Sequence, residues 1–373
     1  MPRGPGSALP SAGTAGSLGC REEKGGCPVA RTVALVGAVH PAARGLALAL
    51  EHDPSVERVL GLSAHEPPLL GPKFELVPAS PGEERFAAAL AEAETVVLFP
   101  VLEAGDRDGG RHARFVEGIR VAIEAAQRAS TIVLWSSGVV YGAHARNPVP
   151  ITEAQPVRPN IGFAPAEALA EAEQLVLGAA GGRAGRSVTV LRAAAIWAPA
   201  WGTFLSRALR APVILGVRGH NPPVQALHPD DAVSALALAV TGGLSGTYNV
   251  APDDSVPART VARTVGRRRV ELPERAASAA AEQLWGLGVA ATGRGELRYH
   301  MHPWVLDPGR LRAAGWAPTR STPEALADAA RGLADGVLVG RVEVRRGDVY
   351  RGAAAAVAVF AAVAVARRQG RRR

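Results

Sequence analysis

The chain has 373 residues, of which 47% are hydrophobic and 20% charged, with 42 glycines and 29 prolines. This length suits two domains or one large α/β unit, and the apolar content excludes a disordered or collagen-like chain. The formal net charge of +8 arises mainly from the C-terminus, where nine arginines from residue 341 onward face only Glu343 and Asp348. Basic residues are not spread over a folded face with interleaved aromatic residues, so we predict no nucleic-acid partner.

The N-terminal residues 1–30 are rich in Gly, Pro and Ser and contain both cysteines, Cys20 and Cys27. They lack the apolar stretch of a secretory signal, and we expect them to be disordered. Two cysteines outside the predicted core make neither a disulfide framework nor a zinc site, which favours the reducing cytoplasm.

From residue 31 onward, short apolar runs alternate with stretches whose apolar residues recur at helical spacing. Near-continuous apolar strands between helices indicate a parallel sheet covered on both faces. The right-handed crossover rule then predicts an α/β fold with a doubly wound, Rossmann-like parallel sheet. The predicted strands are 32–36, 56–62, 74–77, 95–99, 131–135 and 188–191, and the predicted helices are 41–51, 83–93, 111–129 and 166–177.

Beyond residue 200 the alternation is less regular. The pattern predicts helices at 202–210, 229–240 and 308–314, a strand at 246–250 and a loop at 252–257. These elements indicate a smaller domain over the carboxyl ends of the strands, where such folds bind ligands. We therefore expect a dinucleotide-binding domain at 31–200, a partly interleaved substrate-type domain at 201–335 and an Arg-rich tail at 336–373.

The tail contains an uncharged run at 352–366, flanked by arginines. As a helix it would span about 22 Å, less than the roughly 30 Å of a bilayer core. Three alternatives stay open: a helix docked on a protein partner or on the parent domain, a shallow membrane anchor that the arginines attract to anionic lipid, and a frayed tail. Residues 352–373 thus allow membrane association of an otherwise cytoplasmic protein.

Several motifs follow one another in a characteristic order. A strand leads through Gly37 and Ala38 into a helix, and further motifs lie at 135–142 (WSSGVVYG), 152–153, 158–160, 190–192, 225–231 (QALHPDD) and 311–318 (LRAAGWAP). Over roughly residues 31–335 the chain resembles the extended short-chain dehydrogenase/reductase superfamily, specifically its NAD-dependent epimerase/dehydratase family. The resemblance implies an NAD(P)-binding Rossmann fold, a nucleotide-sugar or other small-molecule ligand, and a homodimer formed through the helices 111–129 and 163–177.

The cofactor-binding turn departs from the family's pattern. The family's GxxGxxG turn cradles the cofactor's pyrophosphate, whereas Gly37 and Ala38 are followed here by His40 and Ala43 at the second and third glycine positions. A side chain at position 40 intrudes where the diphosphate would pass, and the proline after it removes one amide donor.

The acidic residue that would hold the adenosine ribose is also replaced, by Ser63. This serine either tolerates a 2′-phosphate, with Arg58 or His65 as partner, or is a turn residue without a ligand role. We therefore expect binding of NAD or NADP to be weak or lost.

The catalytic centre of the family uses a serine and a Tyr-xxx-Lys pair. Ser137 stands at the serine position, but Phe163 and Glu167 occupy the tyrosine and lysine positions. The only lysines of the chain are Lys24 and Lys73, so no such pair exists after residue 73. Glu167 would raise the pKa of a neighbouring acid rather than lower it.

Three hypotheses about function remain. The first is a divergent, non-catalytic ligand-sensing or scaffold protein, in effect a pseudoenzyme. The second is an atypical NAD(P)-dependent nucleotide-sugar epimerase or reductase, in which Ser137 and Tyr141, on the loop that lines the family's substrate pocket, carry the chemistry. The third is a membrane-proximal structural protein that acts through its tail.

Two other sites are not favoured by the sequence. His300 and His302 share one face of an extended segment, but no third ligand is spaced to join them, so we predict no metal. Ser136 and Ser137 lie near His144, but the G-x-S-x-G elbow of a hydrolase is missing.

Overall fold

The computed structural model describes residues 31–64, 71–100, 110–180, 185–198, 201, 209, 213–286, 294–333, 336–339 and 342–345. The N-terminal segment 1–30, the predicted helix 202–210 (apart from Leu209) and the apolar run 352–366 lie outside the described residues. Within them, no helix has the length and apolar character that crossing a membrane requires.

A seven-stranded, all-parallel sheet forms the centre of the molecule, which confirms the predicted fold class. The described strands are Arg31–Val36 (β1), Val56–Leu62 (β2), Phe74–Val77 (β3), Thr95–Leu98 (β4), Thr131–Ser137 (β5), Ser187–Ala193 (β6), Val213–Val217 (β7), Pro223–Val224 (β8), Gly246–Val250 (β9), Val256–Pro257 (β10), Arg268–Leu272 (β11), Gly336–Val339 (β12) and Val342–Arg345 (β13). The strand order of the sheet is β3-β2-β1-β4-β5-β6-β9.

Helices cover both faces of this sheet, and two buried apolar clusters fill the space beneath them. The described helices are Pro41–Glu51 (α1), Glu84–Glu92 (α2), Gly110–Ala125 (α3), Ala164–Gly178 (α4), Pro229–Thr241 (α5), Ala258–Thr264 (α6), Glu274–Gly286 (α7), Arg294–Leu297 (α8), Gly309–Ala313 (α9) and Thr322–Arg331 (α10), with 3₁₀ turns at Gly138–Tyr141 and Arg298–His300. Every residue of β4 is buried, as expected for a strand in the middle of a doubly covered sheet.

Elements beyond residue 200 contribute to the main sheet. Strand β9 pairs with β6 at one edge, and helix α5 packs against α1 on one face. Gly45 makes this helix contact close, because a Cβ added there would lie 2.4 Å from Cγ2 of Val233 on α5. The two parts of the chain are thus interleaved in space.

Three small sheets complete the described structure. Strand β11 runs parallel to β7, β10 pairs antiparallel with β8, and β12 and β13 form a hairpin. The prediction of a loop throughout 252–257 was wrong at its end, because Val256 and Pro257 pair with β8. That pairing joins segments about thirty residues apart and leaves no local periodicity.

A buried ion pair joins the helical layer to the sheet. Nη2 of Arg192 on β6 lies 2.7 Å from Oε2 of Glu173 on α4, and both side chains are at most 6% exposed. Ser136 on β5 donates its hydroxyl to Oε1 of Glu173 at 2.5 Å. Because each buried charge has a charged partner and further hydrogen bonds, the desolvation cost of the pair is offset.

Breaking this pair should destabilise the protein strongly. Arg192→Met leaves the Glu173 carboxylate buried without a counter-ion, so we expect the free energy of unfolding to fall by about 3–5 kcal/mol, measured by urea denaturation. The control is Arg259→Gln, which removes an exposed pair with Glu271 and should leave stability nearly unchanged. Equal losses of unfolding free energy in the two variants would contradict the stabilising role of the buried Glu173–Arg192 pair.

Candidate functional site

The crevice at the carboxyl ends of β1 and β4 is the topological switch point of the sheet, where doubly wound folds bind ligands. Gly37 follows β1 with a φ of 83°, a left-handed conformation that suits glycine. The amides of Gly37 and Ala38 both donate to the carbonyl of Leu62, at 3.0 and 3.2 Å. The turn is therefore held against the end of β2, beside Ser63.

Of the predicted 2′-phosphate partners, Arg58 does not lie at this edge. It lies within β2 and forms ion pairs with Glu75 and Glu92, at 3.0 and 3.3 Å. This corrects its placement beside the ribose position. His65 lies outside the described residues, and Ser63 is buried, with its amide 3.4 Å from the carbonyl of Val77.

His40 caps the N-terminus of α1 with its own side chain. Its Nδ1 accepts the amide of Ala42 at 3.1 Å, and Pro41 has no amide to offer. Other amides of this segment donate to backbone carbonyls. Those of Gly37 and Ala38 bind Leu62, that of His40 binds Gly37, and those of Ala43 and Arg44 bind His40. The donors that would meet a phosphate at a helix N-terminus are thus bonded inside the protein.

The ring of His40 packs among aromatic side chains. It stacks on Phe99, which follows β4, with ring centroids 5.5 Å apart and an angle of 20°, and meets Trp201 edge-on at 5.9 Å. Burial lowers the pKa of His40 to about 4. The imidazole is therefore neutral at pH 7, and its Nδ1 lone pair is free to accept the Ala42 amide.

Ser137 ends β5, as the resemblance requires. Its Oγ lies 3.4 Å from the carbonyl of Ala193 and accepts the amide of Val139, also at 3.4 Å. The side chain is half-buried and caps the 3₁₀ turn Gly138–Tyr141.

Tyr141 lies in the core. Its hydroxyl donates to Oδ1 of Asn249 at 2.9 Å and accepts Nη1 of Arg192 at 2.8 Å, while the guanidinium also covers the ring. Burial raises the pKa of Tyr141, which outweighs the opposing effect of Arg192. This corrects the sequence-based placement of Tyr141 on a pocket-lining loop, because its hydroxyl extends the buried Glu173–Arg192 pair towards β9.

Phe163 packs at the start of α4 against a tyrosine that the sequence did not single out. The ring of Tyr299 lies 5.2 Å from that of Phe163 and 5.3 Å from Trp304, and its hydroxyl donates to the carbonyl of Val139 at 2.7 Å. Burial raises the pKa of Tyr299 strongly. Nothing in the sequence indicated this contact beyond the aromatic character of Tyr299, since Phe163 lies 136 positions earlier in the chain.

Glu167 has a local structural partner. Its Oε1 accepts the amide of Gly162 at 3.0 Å and so fixes the turn that leads into α4. Gly295 on α8 packs against the same turn, since a Cβ there would lie 2.5 Å from the backbone of Gly162.

The two histidines considered for a metal site have different neighbours. His302 meets His220 with ring centroids 5.5 Å apart, whereas Nε2 of His300 lies 3.7 Å from Glu296. Among the residues that the structure describes, no group of three or more His, Cys, Asp or Glu side chains could hold a metal ion.

Solved structures share this architecture. A dTDP-glucose 4,6-dehydratase from Bacillus anthracis, in complex with NAD, superposes with a TM-score of 0.60 at 13% identity, covering 81% of this chain and 96% of that one. A short-chain dehydrogenase/reductase superfamily protein from Agrobacterium tumefaciens with bound NAD gives 0.61 at 17%, covering 81% and 96%. A UDP-galactose 4-epimerase gives 0.58 at 18%, covering 81% and 98%.

The chain therefore has the short-chain dehydrogenase/reductase fold in its NAD-dependent epimerase/dehydratase-like form. Among curated sequences it is 31% identical over 249 residues to uncharacterized proteins of Mycobacterium tuberculosis and Mycobacterium bovis. The aligned region covers 65% of this chain and 66% of each relative. No protein-family model matches the chain.

Removing the Tyr141 hydroxyl should reduce stability. Tyr141→Phe leaves buried polar groups of Arg192 and Asn249 without this partner, so we expect a loss of about 1–3 kcal/mol in the free energy of unfolding. Tyr248→Phe, which removes a half-buried bond to the carbonyl of Ser245, is the control and should cost less. A loss for Tyr141→Phe no larger than this would contradict its role in the network.

The lowered pKa of His40 predicts a pH dependence. In the unfolded chain His40 takes up a proton near pH 6.5, whereas in the folded protein it does so only near pH 4. Stability should therefore be complete above pH 6.5 and fall by up to about 3 kcal/mol as the pH decreases to 4. His40→Asn keeps a cap acceptor without titrating, so its unfolding should lose this part of the pH dependence. The same pH dependence of the unfolding free energy in the wild type and in His40→Asn would contradict this prediction.

Proposed function

We propose that this protein is a non-catalytic member of its fold group that acts as a ligand-sensing or scaffold protein. The observation that carries the proposal is that, among the residues the structure describes, the phenols of Tyr141 and Tyr299 near Ser137 are both used for contacts inside the core. Phe163 has no ionisable proton, and the hydroxyls of Tyr141 and Tyr299 are both buried and hydrogen-bonded. A general acid needs a proton within reach of substrate and a pKa near the working pH, and burial moves both tyrosines away from that range.

Among the described residues around α4, none takes the place of the family's catalytic lysine. Glu167, at the corresponding position, binds the amide of Gly162 and brings negative charge to the place where the family's mechanism uses a cation. Among the described residues, Arg192 donates to the Tyr141 hydroxyl, and its charge is paired with Glu173.

The residues at the phosphate turn do not fit a diphosphate. A helix N-terminus binds a phosphate through unpaired amides, and here His40 occupies the amide of Ala42 while Pro41 has none. The neighbouring structures contain NAD, so NAD or NADP binding remains the alternative expectation, and we propose that it is weak or lost in this chain.

The competing hypothesis is an atypical NAD(P)-dependent nucleotide-sugar epimerase or reductase that uses Ser137 and Tyr141. Ser137 favours it, because this side chain ends β5 and is half-buried. Tyr141 disfavours it, because catalysis would require the hydroxyl to leave both Asn249 and Arg192.

The remaining expectations belong to the same proposal. We place the protein in the cytoplasm, with residues 352–373 available for a membrane surface or a protein partner, and without a nucleic-acid partner. A homodimer would use α3 and α4, which pack side by side. The ligand would be a small molecule, with nucleotide sugars as the first class to test.

Turnover assays distinguish the two hypotheses. The purified protein is incubated with dTDP-glucose or UDP-galactose and either NAD⁺ or NADP⁺, and sugar products and nicotinamide absorbance are followed. We expect no conversion above the protein-free blank, whereas an active dTDP-glucose 4,6-dehydratase in the same assay converts its substrate. Conversion that Ser137→Ala abolishes, and that Ser130→Ala at an exposed serine leaves intact, would establish the enzyme instead.

A melting experiment separates sensing from a scaffold role. A nucleotide sugar that raises the unfolding temperature without being converted would assign ligand sensing. The absence of any shift, together with recovery of a protein partner that depends on the tail, would assign the scaffold role.

A further inference from the structure

We propose that His40 is a built-in occupant of the dinucleotide site, and that its side chain keeps the switch point closed to a nucleoside diphosphate. The inference deepens the proposed function, because it names the contact that closes the site and the ligand class that its removal admits. Two independent contacts carry it, one polar and one aromatic.

The polar contact replaces an anion. The first-turn amides of a helix carry partial positive charge and donate to a phosphate oxygen when no other acceptor is bound to them. In α1, Nδ1 of His40 takes the Ala42 amide at 3.1 Å, which is the geometry of an N-cap. A diphosphate would have to displace this nitrogen before it could bind the helix terminus.

The aromatic contact closes the space above the turn. The His40 ring stacks on Phe99 at the end of β4 and meets Trp201 edge-on. The switch-point crevice opens between β4 and β1, the strand that leads into the His40 turn. The His40 ring, which follows β1, therefore contacts a residue that follows β4, and it does so as a neutral imidazole that needs no counter-ion.

A second His-Pro cap in the same chain shows that such a cap needs no ligand. His228 precedes Pro229 at the start of α5, and its Nδ1 accepts the amide of Asp230 at 3.1 Å. Its φ and ψ of −73° and 142° are close to the −67° and 134° of His40. The surroundings differ, because Nε2 of His228 faces the Asp328 carboxylate at 3.3 Å whereas His40 faces aromatic rings. Of these two caps, the one on α1 lies at the switch point.

The backbone at position 40 makes the proposal testable by substitution. Its φ and ψ lie in the extended region, which glycine and alanine both adopt without strain. Pro41 still starts the helix in such variants. Replacing His40 thus removes the acceptor and the ring together while it leaves the turn and α1 in place.

The experiment is calorimetric titration of the full chain with NAD⁺ and with ADP, for the wild type, His40→Gly and the control His228→Gly. We expect no binding by the wild type at millimolar nucleotide, and an affinity at least about tenfold higher in His40→Gly, the gain of one charge-assisted hydrogen bond. His228→Gly loses an equivalent cap and should behave as the wild type does.

Three outcomes would overturn the proposal: micromolar binding by the wild type, binding by His40→Gly no tighter than that of the wild type, or an equal gain in His228→Gly. His40→Ala, read out by the nucleotide-dependent shift of the unfolding temperature, replaces the glycine variant if that variant does not fold. Turnover is not a readout here, so failure of this proposal leaves the non-catalytic assignment standing. Conversely, turnover by the wild type would refute that assignment separately.

Discussion

The buried Glu173–Arg192 pair is the interaction on which the rest of the site depends. Two charges at the interface of α4 and the sheet must be fully partnered, and their hydrogen bonds extend to Ser136 on β5 and to Tyr141. Through Tyr141 the network reaches Asn249 on β9, whose Oδ1 accepts the tyrosine hydroxyl and whose Nδ2 donates to the carbonyl of Ile151. Tyr141 is thereby a structural link between β6 and β9.

The crevice shows the same use of functional positions for internal contacts. At the turn after β1 His40 caps α1 and packs on Phe99, and at the start of α4 Phe163 packs on Tyr299. These aromatic contacts add apolar burial at the two positions. The fold is retained because its strands and helices bury the same apolar faces whether or not chemistry takes place between them.

Much of the fold could be predicted from the sequence, because its signals are local. The strands Val56–Leu62 and Phe74–Val77 and the helix Pro41–Glu51 have the predicted bounds, since apolar runs and a proline at the first helical position act within a few residues. The presence of a side chain at position 40 of the turn could also be read from the missing glycine. The contacts of Tyr141 with Asn249, of Trp201 with His40 and of Tyr299 with Phe163 could not, because each joins residues more than one hundred positions apart and no periodicity records such a pairing.

The close packing at Gly45 has a consequence for how the turn before α1 is positioned. Val233 fills the space of the absent side chain, so α1 rests directly on α5, a helix from the later part of the chain. The turn from Gly37 to His40 is continuous with α1 and is fixed at its other end by β1. A methyl group at residue 45 would therefore push α1 away from Val233 on α5. This displacement would also move the imidazole ring of His40, which lies at the start of α1. The position of the switch-point turn therefore depends on a helix from the later part of the chain.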